Sequence, residues 1–198
     1  RPVDEGENDA SFKAFREKLI AAVKKRDTKY LVSVLDRNVK ASFGGDDGIE
    51  DFKRFWKIES PNSKLWDELL KVLTNGGKFS REGTTVLFAA PYSYSHFPEE
   101  LDMFEYQVIF GSNVNLRAKP DEKAEIITRL SYNIVKVDFL KSVTDPMDET
   151  RFLWKRIETL GGKSGFVKAE FVRSPIDFRA IFEKKNGRWK LVSFVAGD

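Results

Sequence analysis

The chain has no cysteine, so disulfides, thiolate nucleophiles and sulfur-ligated metal centres are all excluded. Histidine occurs once, at position 96, which leaves little material for an imidazole-rich metal site. No apolar run approaches the roughly 18 residues that a membrane-crossing helix requires, so no transmembrane segment is expected. A surplus of one charge is missing too. Residues 1–100 hold 17 basic and 17 acidic side chains, and the remaining 17 basic and 14 acidic ones lie in 101–198, giving a net +3. Charge this dilute and this mixed gives no tract for nucleic acid. The expectation is therefore a chain without catalytic, metal or cofactor residues and without a nucleic-acid partner.

What is present is enough hydrophobic material for a proper core. Of 198 residues, 41% are hydrophobic and 13% aromatic, with 17 phenylalanines, which suits one or two domains. The first ten residues are polar and are read as a flexible tail. A start at Arg1 without methionine fits a mature chain from which a signal segment has been left out, and hence an extracytoplasmic protein: periplasmic, cell-surface or secreted.

Residues 11–103 read as a helical α+β domain. Asp9 can cap a helix whose Phe12, Phe15, Leu19, Ala22 and Val23 recur at helical spacing, with Lys24–Arg26 at its negative end. Asp27 or Thr28 can cap a second helix bearing Tyr30, Leu31, Val34 and Leu35, ending in a turn at Asp36–Asn38. Val39, Ala41 and Phe43 alternate as in a half-buried strand. The acidic loop that follows has two readings. Asp46, Asp47, Glu50 and Asp51 could offer oxygen ligands to calcium, but the spacing differs from the twelve-residue calcium loop. The preferred reading is a capping box from Asp47 to Glu50 opening a helix with Ile49, Phe52, Phe55 and Trp56 inward. A further helix from about 63 to 74 stops at Asn75-Gly-Gly77, and two short strands follow between Lys78 and Ala90. His96 sits among Ser93, Ser95 and Asp102, the residue types of a nucleophile relay, but without a nucleophile-elbow motif. The aromatic side chains Tyr92, Tyr94 and Phe97 around it suggest packing instead.

The most informative stretch is Val114-Asn-Leu-Arg-Ala-Lys-Pro120, answered later by Trp154-Lys-Arg-Ile157 and Gly165-Phe-Val167. This order of short motifs resembles the bacterial branch of the Src-homology-3 domains over about residues 104–173. The resemblance implies a small β-barrel, taken as 104–174, of the kind often appended to cell-envelope proteins. It also implies a variable loop at Lys141–Thr150 before the tryptophan strand, and Asn133 at a turn position usually held by glycine, where positive φ is tolerated. In eukaryotic relatives an aromatic groove holds a polyproline helix. Trp154 stands at the place of that groove's tryptophan, Lys168 at its proline and Phe171 at its tyrosine. Arg117, Trp154, Lys168 and Phe171 are accordingly the candidate groove residues, for cell-wall peptide, glycan or an envelope protein. Proline-rich peptide is a poor fit because lysine and phenylalanine replace the proline and the tyrosine.

Residues 175–198 read as a hairpin turning at Lys184–Gly187. The strands near 39–43 and 79–90 need partners, so the hairpin is expected to complete the N-terminal sheet. Its ending weakly resembles the last hairpin of nuclear-transport-factor-like and cystatin-like α+β sheets. The expected class is thus α+β, with the barrel inserted before the last two strands. The function expected is non-enzymatic envelope binding, and the alternative is a hydrolase-like or small-ligand-binding site in the N-terminal part.

Overall fold

The computed structural model describes residues 3–45 and 47–197. The described residues form two compact units, one from 3–96 with 176–197 and one from Phe97–Pro175.

The polar start is more organised than its composition implies. Asp4 caps a 3-10 turn at Glu5–Glu7. The Asp4 carboxylate accepts two hydrogen bonds from Arg16, at 2.7 and 2.8 Å, and Glu7 accepts a third at 2.7 Å. Glu5 takes Phe79 N at 2.7 Å. These carboxylates satisfy a buried guanidinium and a strand end, so residues 4–7 of the expected tail are part of the fold.

Helix α1 (Ala10–Lys24) opens on Asp9, whose side chain accepts from Phe12 N at 2.7 Å. Helix α2 (Thr28–Val34) opens on Asp27 in the same way. Strand β1 (Leu35–Lys40) follows at once, so the turn expected at 36–38 is extended chain instead. Helix α3 (Ile49–Trp56) is capped by Gly48 at φ 100°, with no side-chain cap bond. The capping box therefore does not form, and Glu50 instead pairs with Lys53 at 3.0 Å. Asp46 of the acidic loop lies outside the described residues. Next come α4 (Leu65–Leu73), β2 (Lys78–Glu82), β3 (Thr85–Ala90) and the single turn α5 (Tyr92–Ser95).

The second unit is built of β4 (Tyr106–Ile109), β5 (Val114–Arg117), β6 (Ile126–Leu130), β7 (Ile134–Asp145), β8 (Asp148–Thr159) and β9 (Ser164–Lys168). A 3-10 turn (Ala169–Phe171) and β10 (Val172–Arg173) complete it. The chain then returns to the first unit with β11 (Arg179–Lys185) and β12 (Arg188–Val195).

The first sheet has the order β1-β12-β11-β3-β2, so the C-terminal hairpin fills the gap between β1 and β3. Its turn places Asn186 at φ 48° and Gly187 at φ 75°, the paired positive values that match strand twist in a tight hairpin. The register shifts between Ile181↔Ser193 and Phe182↔Leu191, leaving Val192 as an extra residue. That bulge returns Phe194 to the core side with Trp189 and Leu191, where strict alternation would have put it outside. Helices α1 to α4 cover this sheet through a core rich in aromatic rings. Phe12 is fully buried, with Phe79, Phe88, Phe182 and Trp189 at centroid distances of 4.1 to 5.7 Å.

The second sheet has the order β10-β4-β7-β8-β9-β5-β6, antiparallel throughout, and curls into a half-barrel. Val114 and Leu116 point into its core, while Asn115 and Arg117 are half-buried. The residue with positive φ in the turn before β7 is Tyr132, at 58°, and Asn133 instead accepts from Ser131 N at 2.7 Å. The expected loop at Lys141–Thr150 is also different: it is the end of a hairpin of two twelve-residue strands.

Candidate functional site

The β7–β8 hairpin outgrows the sheet that carries it. Strand β9 pairs with β8 only from Trp154 to Glu158, and β4 pairs with β7 only from Ile134 to Lys136. Beyond those points the ribbon has two strands and two open edges. Phe139–Ser142 form a wide bulge: the next pair after Asp138↔Arg156 is Val143↔Trp154. Asp138 stabilises it, accepting Lys141 N at 3.1 Å on its carboxylate and the Ser142 hydroxyl at 2.7 Å on its carbonyl. The bulge leaves Leu140 99% exposed, and Met147 at the tip is 93% exposed. Asp145 closes the tip by accepting Met147 N at 2.9 Å and pairing with Arg151.

An open groove of about 930 Å³ runs beside the β8 edge of this ribbon. It is bounded by Thr150–Lys155 of β8, by the Pro120–Glu122 loop and by Lys168–Glu170, where β9 gives way to the 3-10 turn. Trp154 and Lys168 are Cα partners across the β8–β9 ladder and both line the groove. Arg117 and Phe171 do not line it. Arg117 is half-buried on β5 and donates to Ala124 O at 2.7 Å, bracing the 118–125 loop. Phe171 gives its carbonyl to Phe110 N at 2.8 Å. Of the four sequence candidates, two therefore share the groove and two hold its surroundings.

Sequence reading missed Pro120, Glu122 and Phe152 as groove residues. Phe152 and Trp154 stand two apart, the period that places side chains on one face of a strand, but that signal required reading residues 148–153 as strand.

The groove's cations are already engaged. Lys168 pairs with Glu122, with Glu170 at 4.0 Å; the hydrogen bond from this lysine lowers the Glu122 carboxyl pKa, and the same bond raises that of the lysine. Lys155 donates to Gln107 Oε1 at 2.6 Å and to Val172 O at 3.3 Å, and lies 5.9 Å from the Phe152 ring centre. Arg151 is held by Asp145. Some carboxylates are not matched in this way. Asp121 takes only Lys123 N, at 2.8 Å, and Asp148 takes the amide and hydroxyl of Thr150 at 3.1 and 2.6 Å. Among the described residues neither these two nor Glu149 has a cationic partner.

In the first unit, two constellations resemble catalytic sets. Ser11 Oγ lies 2.6 Å from Asp9 Oδ1, 2.9 Å from Lys184 Nζ and 3.1 Å from Trp189 Nε1. Its proton goes to the carboxylate and both lone pairs take donors, so the hydroxyl serves as a helix-start bracket and has no free valence for attack. His96 has Ser95 Oγ 3.1 Å from Nδ1. Burial lowers its imidazole pKa, against a smaller opposing pull from Glu5. The Asp102 carboxylate, named from sequence as an orienting acid, accepts Phe104 N at 2.8 Å.

Residues 112–173 match the model of the bacterial SH3 domain family, the span that holds β5 to β10 and the groove. No curated protein and no solved structure matches the chain.

Proposed function

We propose, from the bacterial SH3 match at residues 112–173, that the chain is a non-enzymatic protein of the cell envelope. Its half-barrel binds cell-wall peptide, glycan or a partner protein in the groove beside Trp154. The observation that carries this reading is the groove itself: Trp154, Phe152 and Pro120 offer apolar and aromatic surface, and charged groups of both signs flank them. A recognition surface needs that combination, apolar contact for affinity and placed polar groups for orientation. An extracytoplasmic location belongs to the same reading, and the bacterial SH3 match supports it.

Retention on purified insoluble peptidoglycan sacculi tests it, comparing the intact chain with Trp154→Ala at low and high salt. Retention that survives high salt and falls by about tenfold in a folded Trp154→Ala variant is the expected result. Equal retention of both proteins, or none of either, overturns the wall-binding form of the proposal.

A further inference from the structure

We infer that Arg179 anchors a second binding site, in the α+β unit, for the carboxylate of a small organic molecule. This site goes beyond the groove and does not rest on it. The register of the first sheet assembles it. Strand β11 opens with Arg179, paired to Val195 of β12, and the next residue, Ala180, pairs with Ala90 at the end of β3. The chain leaving β3 therefore turns into α5 beside Arg179 and sets the Tyr94 ring centre 4.9 Å from its Cζ. On the far side of β12, Lys40 of β1 pairs with Ser193. The segment leaving β1 thus runs past the same end of the sheet, and the Phe43 ring centre lies 5.4 Å from that carbon.

Two guanidinium groups are buried in this unit, and only one is matched. Arg16, 5% exposed, receives three hydrogen bonds from the carboxylates of Asp4 and Glu7. Arg179 is 7% exposed, yet among the described residues its fork makes one hydrogen bond, from Nη1 to Ile176 O at 3.2 Å, and pairs with no carboxylate. Asp177, two residues away, gives its own carboxylate to Phe178 N at 2.7 Å. The two rings offset the charge, but they accept nothing in the plane of the guanidinium, where its donors point. The Ser93 hydroxyl, next to Tyr94 on α5, is also buried without a hydrogen-bond partner among the described residues. Buried donors left unbonded are costly, and an acceptor from outside would relieve them. A planar fork fits the two oxygens of a carboxylate side by side. Phe43 keeps 55% of its surface exposed, so it offers an apolar face to the body that carries that carboxylate. Inorganic phosphate would engage the fork without using the ring, and a neutral amide would forgo the charge.

The test titrates benzoate into the nitrogen-15-labelled full chain and follows the Nε–Hε resonance of Arg179, assigned by its loss in Arg179→Lys. The resonance should shift saturably with a Kd of about 1 mM, and benzamide and inorganic phosphate should bind about tenfold more weakly. Arg179→Lys, read through the backbone amide of Tyr94, should weaken benzoate about tenfold, because an ammonium cannot replace the fork. Phe43→Ala removes a ring that is largely exposed and should weaken benzoate roughly fivefold while the circular dichroism spectrum stays unchanged. This second variant keeps the test decisive where the lysine variant does not fold. A resonance that does not move, equal binding of benzamide or of phosphate, or a Phe43→Ala variant that folds and binds benzoate as the parent does overturns the inference. So do benzoate shifts centred on the Trp154 indole, which would place the anion in the groove. Retention on sacculi reads the groove alone, so its failure leaves the Arg179 site standing, and a failed benzoate titration leaves the proposed function standing.

Discussion

The two units bury different chemistry. The α+β unit gathers Phe12, Phe52, Phe88, Phe182, Phe194, Trp56, Trp66 and Trp189 into one core. The half-barrel's core is purely aliphatic: Ile109, Val114, Leu116, Leu130, Val135, Val137, Ile157, Val167 and Val172. Several of its other large apolar side chains lie outside, with Phe104 58%, Leu140 99%, Met147 93% and Leu160 67% exposed. A small curled sheet encloses little volume, and aliphatic side chains, most of them β-branched, fill it. Among the described residues its rings stay out of that core, and two of them, Phe152 and Trp154, line the groove. Aromatic rings thus build the core of one unit and stand outside the core of the other.

The largest effect expected from this contrast is Phe12→Ala. Removing the hub of the aromatic core should cost about 3–5 kcal/mol, whereas Ile157→Val in the half-barrel should cost only about 0.5–1.5 kcal/mol. Denaturant titration of both variants measures the difference. Comparable losses would show that the aliphatic core is as exacting as the aromatic one, and would break the comparison.

An intermediate effect concerns charge. Burial works to raise the Asp36 carboxyl, but hydrogen bonds from Lys185 at 2.9 Å and Asn38 N at 3.0 Å outweigh it and hold the pKa below the usual carboxylate value. A depressed carboxyl adds stability above its unfolded pKa and loses it as pH falls through the lower, folded value. Asp36→Asn should therefore cost about 1 kcal/mol at neutral pH. The gap to the parent should close as pH drops below about 4, which a pH series of melting curves would show. The corresponding pair in the half-barrel, Glu122 with Lys168, lies in solvent with side chains 69% and 37% exposed. Glu122→Gln should leave its melting curve where it was. A gap for Asp36→Asn that stays constant down to low pH would refute the linkage.

How much of this was legible beforehand depended on how local each signal was. Asp9 and Asp27 act as helix caps because a cap needs only its own next three residues. The joining of the C-terminal hairpin to the first sheet followed from strands left without partners. What failed were features decided across the fold. The acidic residues 4–7 look like solvent-loving tail until Arg16 is seen to need them. Gly48 took the cap that Asp47 and Glu50 were expected to share. The positive φ fell on Tyr132 beside the asparagine that seemed suited to it. At the groove, Trp154 and Lys168 were visible through motif order, but Pro120, Glu122 and Phe152 come together only because residues 141–150 form a strand pair in place of a loop.

The smallest expected effect on stability falls on the most exposed side chains. Leu140 in the bulge and Met147 at the hairpin tip contribute almost nothing to burial, being 99% and 93% exposed. Leu140→Ser combined with Met147→Ser should move stability by no more than about 0.5 kcal/mol. Both lie outside the groove lining, so retention on sacculi should also be unaffected. A melting temperature that held while retention fell would mean that the recognition surface reaches beyond the groove, onto the bulge and the tip. A fall in melting temperature would mean that these side chains are covered in solution. Unchanged values in both measurements would confine recognition to the groove and sharpen the division between a unit that keeps its apolar residues in its core and one that displays several of them.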